Sequence, residues 1–133
     1  MDPFLTTVAA IVLLALALRF GMSMRMNRSV GKPAPDISEI SGRTLGPDES
    51  AMVYFYGPHC RACKPMTPVV RAMGEQRDNV YAVDISEHPR LARDFGLIAT
   101  PTVMLVRNGL ISQARVGTLS RARLEQMLSI DGA

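Results

Sequence analysis

The strongest constraint on this chain is a pair of cysteines that directly follows a run of strand-forming residues. Ala51-Met52-Val53-Tyr54-Phe55-Tyr56 carries no charge and predicts a buried strand. Gly57-Pro58-His59 breaks the run, and from Cys60 to about Gln76 the apolar residues Met66, Val69, Val70 and Met73 recur at helical spacing. Cys60-Arg61-Ala62-Cys63 therefore falls at a strand-to-helix junction. There the two thiols are close enough to form a disulfide, the arrangement of thiol–disulfide exchange. These are the only 2 cysteines in the chain, so no structural disulfide framework exists for them to join. They are either the working chemistry or half of a metal site. A metal would need two further ligands, and the chain offers only His59 and His88. His59 adjoins Cys60 and is poorly placed to chelate with it, so no metal is expected. Cys60 is the expected nucleophile. At a helix N-terminus its thiolate would face unpaired backbone N–H groups and the positive end of the helix dipole, with His59 and Arg61 adding positive charge. Cys63, one turn further in and less exposed, would resolve the mixed disulfide.

The remaining elements alternate. Asp36 to Leu45 is expected as a small hairpin turning at Gly42, with a turn at Gly46-Pro47-Asp48. Pro68 is expected to kink the helix that follows the cysteines. Val80 to Ile85 reads as a second strand, Pro89 to Phe95 as a short helix stopped by Gly96, and Thr102 to Val106 as a third strand. Asn108-Gly109 reads as a two-residue hairpin turn into Leu110–Val116, with Gly117 a candidate for a bulge or a close approach. Ser120 can cap a final helix whose inner face carries Leu124, Met127 and Leu128. The sum is an α/β fold: a mixed sheet flanked by helices, parallel at first and closed by an antiparallel hairpin.

The first residues are of another kind. Phe4 to Leu18 is uncharged, and the stretch through Met24 gives roughly 20 residues, enough to cross a bilayer core of about 30 Å. A cleavable signal peptide would need a basic start and a small-x-small cleavage site; Met1-Asp2-Pro3 and Arg19-Phe20-Gly21-Met22 supply neither. The expected organisation is a transmembrane anchor over 1–24, an extended juxtamembrane linker over 25–35 and a soluble domain over 36–133. Arg19, Arg25, Arg28 and Lys32 account for the net charge of +3 against Asp2, because basic and acidic residues balance from Pro33 onward. The charge is thus a juxtamembrane patch suited to anionic lipid, and no nucleic-acid-binding face is expected. The Lys/Arg bias predicts a single-pass protein of the cell inner membrane with its domain in the cytoplasm rather than the periplasm. The Met22-Ser23-Met24-Arg25-Met26 run is expected as the apolar end of the anchor rather than a soft-metal site.

Four segments together resemble the thioredoxin superfamily: Val53 to Lys64 with its Cys-x-x-Cys, Val83-Asp84-Ile85 followed by Pro89, Ala99-Thr100-Pro101-Thr102, and Asn108-Gly109 with Val116-Gly117. The match spans about residues 50 to 130. It implies a thioredoxin-like fold and a thiol–disulfide oxidoreductase that needs no cofactor beyond its Cys60–Cys63 pair. Its partners would be a protein disulfide substrate and a thiol electron donor, with reduction of the partner favoured. Thr100-Pro101 would be the family's cis-proline loop, Thr100 pairing through its backbone with the substrate. Val30 to Asp36 also resembles the segment leading into membrane-tethered thioredoxin-like reductases, some of which serve cytochrome maturation outside the cytoplasm, against the direction of the charge bias. A non-enzymatic binding or chaperone module, or a metallochaperone, is the alternative.

The chain departs from the family at His59, usually Trp; at Arg61-Ala62, usually Gly-Pro; at Tyr54, where the family buries an acid; and at Ala82, where a lysine partner is usual. Tyr54 is therefore a candidate for proton transfer near Cys63. Arg61 favours the reduced thiolate, so the reduction potential should lie above the thioredoxin value of about −270 mV. Equilibration against a glutathione series measures it, and a value at or below that figure would refute the role given to Arg61.

Overall fold

The uncharged run before the cysteines becomes the most deeply buried strand of the protein. The structure is a computed structural model that describes residues 2–130. Its strands are β1 (Ser50–Tyr56), β2 (Val80–Asp84), β3 (Thr102–Arg107) and β4 (Leu110–Val116), and its helices are α1 (Pro3–Asn27), α2 (Ser38–Ser41), α3 (Thr67–Gln76), α4 (Pro89–Asp94) and α5 (Arg121–Ile130). The sheet order is β2-β1-β3-β4. β1 runs parallel to β2 and antiparallel to β3, which pairs antiparallel with β4. Successive β1 side chains point to opposite faces, so one strand feeds two cores. Ala51, Val53 and Phe55 pack with Ile37, Leu91, Phe95 and Met104, while Met52 and Tyr54 pack with Met66, Val70, Met73, Leu124 and Leu128. Burying each large side chain contributes roughly 1.5–3 kcal/mol.

The expected strands and the last two helices are present to within a residue or two. Ser120 Oγ accepts the Arg123 backbone N–H, as a cap should. Asn108 and Gly109 make the hairpin turn with φ of 53° and 73°. The bulge lies not at Gly117 but where Leu105 faces Gln113 and Val106 faces Ile111.

Three expectations are corrected. Asp36 to Leu45 is no hairpin. The Asp36 carboxylate accepts both the backbone N–H and the hydroxyl of Ser38, starting the single turn of α2, and Gly42 ends that turn at φ 75°. Pro68 does not kink α3, because the helix begins at Thr67. Proline is tolerated in a first turn, whose N–H groups have no intrahelical acceptor.

The third correction concerns the linker. Residues 25–35 are not an extended stalk. α1 continues to Asn27, Met26 is buried in the core, and the chain then runs along β4. There Gly31 N–H donates to Ile111 O, Ile111 N–H to Lys32 O, and Ala34 N–H to Gly109 O. The earlier part of α1 exposes Leu and Val side chains on every side, and the helix is long and apolar enough to cross a membrane.

Candidate active site

β1 and β2 end together at Tyr56 and Asp84, and at the same end of the sheet Thr102 opens β3 opposite Val116 of β4. The loops that leave this end carry every residue singled out from the sequence except Tyr54, which lies inside β1. Cys60 and Cys63 are joined as a disulfide with Cα atoms 5.3 Å apart. Cys60 is half-buried and Cys63 is buried, so the two sulfurs differ in access as a nucleophile and a resolving thiol must. His59 and Arg61 are exposed on either side of Cys60. A shallow depression beside the disulfide is lined by Tyr56, Gly57, Pro58, Lys64, Thr67 and Pro68.

The pair does not stand on the first turn of an α-helix as expected. Between Cys60 and Met66 the chain makes tight turns, with Lys64 N–H donating to Arg61 O and Met66 N–H to Cys63 O, and α3 starts only at Thr67. The backbone N–H groups of Arg61, Ala62 and Cys63 find no acceptor among the described residues. Donors able to stabilise an anion on Cys60 are therefore supplied by the turn itself, with the dipole of α3 further away.

Beneath the turn, the Cys63 carbonyl gathers most of the local hydrogen bonds. It accepts Met66 N–H at 3.0 Å and Thr67 N–H at 2.9 Å. It also accepts the Thr67 hydroxyl at 2.9 Å and the Tyr54 hydroxyl at 3.3 Å. Tyr54 Oη and Thr67 Oγ1 are 2.8 Å apart. Burial pushes the Tyr54 phenol above its ordinary pKa, with the Thr67 hydrogen bond opposing. The Tyr54 ring stacks on Tyr56 at 5.6 Å, and Arg71 lies over Tyr56 and donates to its hydroxyl at 2.8 Å. Arg71 thus closes a column that leads down through Tyr56 and Tyr54 to the Cys63 carbonyl.

The Thr100–Pro101 peptide bond is cis, Pro101 is buried and Thr100 is half-buried. This loop faces the cysteines across Gly57: a Cβ built there would lie 3.8 Å from Thr100 Oγ1 and 3.9 Å from Cys60 Cβ. Gly117, at φ 103°, donates its N–H to Pro101 O at 2.9 Å, and Thr118 Oγ1 donates to Ala62 O at 3.2 Å. Thr118 and Thr67 were not anticipated. Thr67 carried a signal, four residues after Cys63 on a helical repeat; Thr118, far from the motif in sequence, carried none. His88 is half-buried, with Nδ1 3.7 Å from Glu39 Oε1, and takes no part in the site. Among the described residues no cluster of three or more His, Cys, Asp or Glu side chains could hold a metal. A cavity of about 490 Å³ lies at the other end of the sheet beside Asp36, Pro47 and Asn108, away from both sulfurs.

Residues 41–130 match the family model described as thioredoxin. Thioredoxin 1 of Nostoc sp. is 29% identical over 94 residues, covering 68% of this chain and 88% of that protein. Thioredoxin of Porphyra purpurea is 27% identical over 85 residues, covering 62% and 79%. Among solved structures, reduced Schistosoma mansoni thioredoxin superposes with a TM-score of 0.55 at 27% identity, over 63% of this chain and 80% of that one. A mutant thioredoxin of Halobacterium salinarum gives 0.57 at 26% identity, over 65% and 77%. With its fold, its cis-proline loop and its Cys60–Cys63 pair in agreement, the chain belongs to the thioredoxin family of thiol–disulfide oxidoreductases.

Proposed function

We propose that the protein is a membrane-tethered thiol–disulfide oxidoreductase that reduces a disulfide of a partner protein. The observation that carries this reading is the unequal access of the two cysteines beside the cis-proline loop. In the reduced protein the Cys60 thiolate attacks one sulfur of the substrate disulfide, forming a mixed disulfide and releasing the other substrate sulfur as a thiolate. The Cys63 thiolate then attacks Cys60 Sγ. This forms the internal disulfide, and the second substrate sulfur leaves and takes a proton. Two electrons have passed to the substrate, and a dithiol donor returns the protein to its reduced form by the reverse exchange.

The N–H groups of Arg61, Ala62 and Cys63 and the guanidinium of Arg61 favour the Cys60 thiolate. His59, exposed and next to Cys60 in the chain, is a second candidate for tuning that thiolate. The backbone of Thr100, held by buried Pro101, offers an edge for the substrate strand. Tyr54 stays protonated well above neutral pH, so it can return a proton but not take one up. Its principal contribution in this reading is to fix the Cys63 carbonyl and with it the approach of the resolving sulfur.

The exposed apolar side chains of α1 support anchoring, since a helix apolar all round needs a bilayer or a protein to cover it. The basic residues that follow the apolar run support a cytoplasmic domain. A membrane-impermeant thiol reagent applied to intact cells after mild reduction decides the side. Cys60 should react only after lysis, and reaction in intact cells would reverse the assignment.

Cys60→Ser should abolish reduction of insulin disulfides with dithiothreitol as donor. Cys63→Ser should instead accumulate a mixed disulfide visible on a non-reducing gel. Residual turnover in Cys60→Ser would count against the mechanism. Tyr54→Phe removes a hydrogen bond and should lower stability to urea by about 1 kcal/mol. Because the phenol's pKa is raised in the folded protein, the unfolded chain ionises first. Stability should therefore fall as pH rises past about 10, and Tyr54→Phe should lessen that alkaline loss. An unchanged alkaline limb in the variant would remove Tyr54 from this account.

A further inference from the structure

We infer that the Cys60–Cys63 site faces the bilayer and acts on disulfides held at the membrane surface, next to a transmembrane segment of the substrate. The inference rests on the anchoring proposed above and names the substrate class of the same site. It follows from the polarity with which α1 is joined to the domain. Three attachments fix that polarity. At the far end of the sheet, Ala34 N–H bonds to Gly109 O in the hairpin turn, and Gly31 N–H bonds to Ile111 O one step nearer the site. Ser29 Oγ lies 3.5 Å from where a Gly96 Cβ would stand. Moving back up α1, Met22, Ser23 and Met26 flank a cleft with Arg115 and Val116 at the site end of β4. Leu18 and Met22 flank another with Ile98, two residues before Thr100.

The chain thus enters the domain at the active-site end and leaves α1 towards the opposite one. The uncharged run ends at Leu18, four residues from Met22, and at 1.5 Å per residue that is about 6 Å. Crossing the bilayer takes roughly 20 residues and the apolar stretch runs on to Met24, so the hydrocarbon boundary lies within about one helical turn of the end of the sheet from which Cys60, Cys63 and the cis-proline loop project. β1 is two strands from β4, about 10 Å across the sheet, so the disulfide stands beside α1 and not behind the domain.

The surface chemistry agrees. Ile98 is exposed at 46% beside the anchor, and Arg19, Arg25, Arg61, Lys64 and Arg115 lie at this end. That combination suits an interface of acyl chains and anionic headgroups. Of the acids at this end, Asp84 closes β2 and Glu87 follows it, on the edge away from α1. A partner disulfide far out in solution would have to pass between the domain and the lipid, whereas one flanking a transmembrane segment starts at the right height.

The test uses the full chain in phosphatidylcholine–phosphatidylglycerol vesicles, with flotation reading the anchor. A fluorophore is placed on Cys60 in Cys63→Ser, or on Asp48→Cys in Cys60→Ser/Cys63→Ser, Asp48 being exposed just before β1 at the far end. With headgroup-quencher lipids, the Cys60 label should lose most of its fluorescence and the Asp48 label should keep most of its own. Equal loss, no loss at either, or greater loss at Asp48 overturns the inference. In the same vesicles, the unlabelled protein should reduce a disulfide built into the first residues after a synthetic transmembrane peptide faster than the same disulfide raised on a long helical spacer. A flexible Gly-Ser insertion between Arg28 and Ser29 should remove that preference while insulin reduction persists. Absence of the preference, with insulin reduced normally, sinks this inference alone. Failure to reduce insulin sinks the oxidoreductase reading, and failure to float sinks the anchor and this inference with it.

Discussion

Two-sided burial of β1 is the constraint on which the other features depend. Its five central residues are buried, Ala51, Val53 and Phe55 on one face and Met52 and Tyr54 on the other. A strand in that position must have neighbours on both edges and helices on both faces. It must also end where the helical layer allows the chain out. Tyr56 is that point, and the cysteines follow as the first residues free to leave the sheet.

The same strand also supports the site from below. Tyr54 belongs to the core by its ring and to the site by its hydroxyl, which meets Thr67 Oγ1 and the Cys63 carbonyl. The cis-proline loop and the β4–α5 connection complete the rim through Gly117 N–H to Pro101 O and Thr118 Oγ1 to Ala62 O. Cys63 is held by its backbone while its side chain keeps the freedom to exchange. Cys60 is left with free N–H groups beside it, which suits a residue that must spend part of its cycle as an anion.

The segment that follows the apolar run of α1 gives this arrangement a direction. An extended stalk would let the domain tumble, and every face would then meet substrate equally. Here Met26 is packed into the same core as Phe55, and residues 31–34 pair with β4 and the hairpin turn, so the end of α1 is fastened to the sheet. Under the proposed anchoring, the choice of substrate becomes a matter of height above the bilayer as well as of contacts in the cleft.

The sequence by itself determined the strands, the turn at Asn108-Gly109, the cap at Ser120, the working cysteines and the apolar helix, because each rests on local pattern: uncharged β-formers, positive-φ residues, a spacing of three, an uninterrupted apolar run. It misjudged Asp36–Leu45 because a side-chain bond from Asp36 to Ser38 outweighed sparse strand signals. It misjudged Pro68 because the helix start depended on turns that the motif itself imposes. Only the tertiary structure decided which residues frame the Cys60–Cys63 turn, since Tyr54, Thr67, Thr118 and Pro101 come from four separate segments brought together by the sheet. Only it decided that residues 26–34 are docked, because a polar, proline-bearing segment gives no local sign of the edge it will pair with. β4 offers that edge after the sheet has formed, and its unpaired N–H and C=O groups supply the reason to bind it.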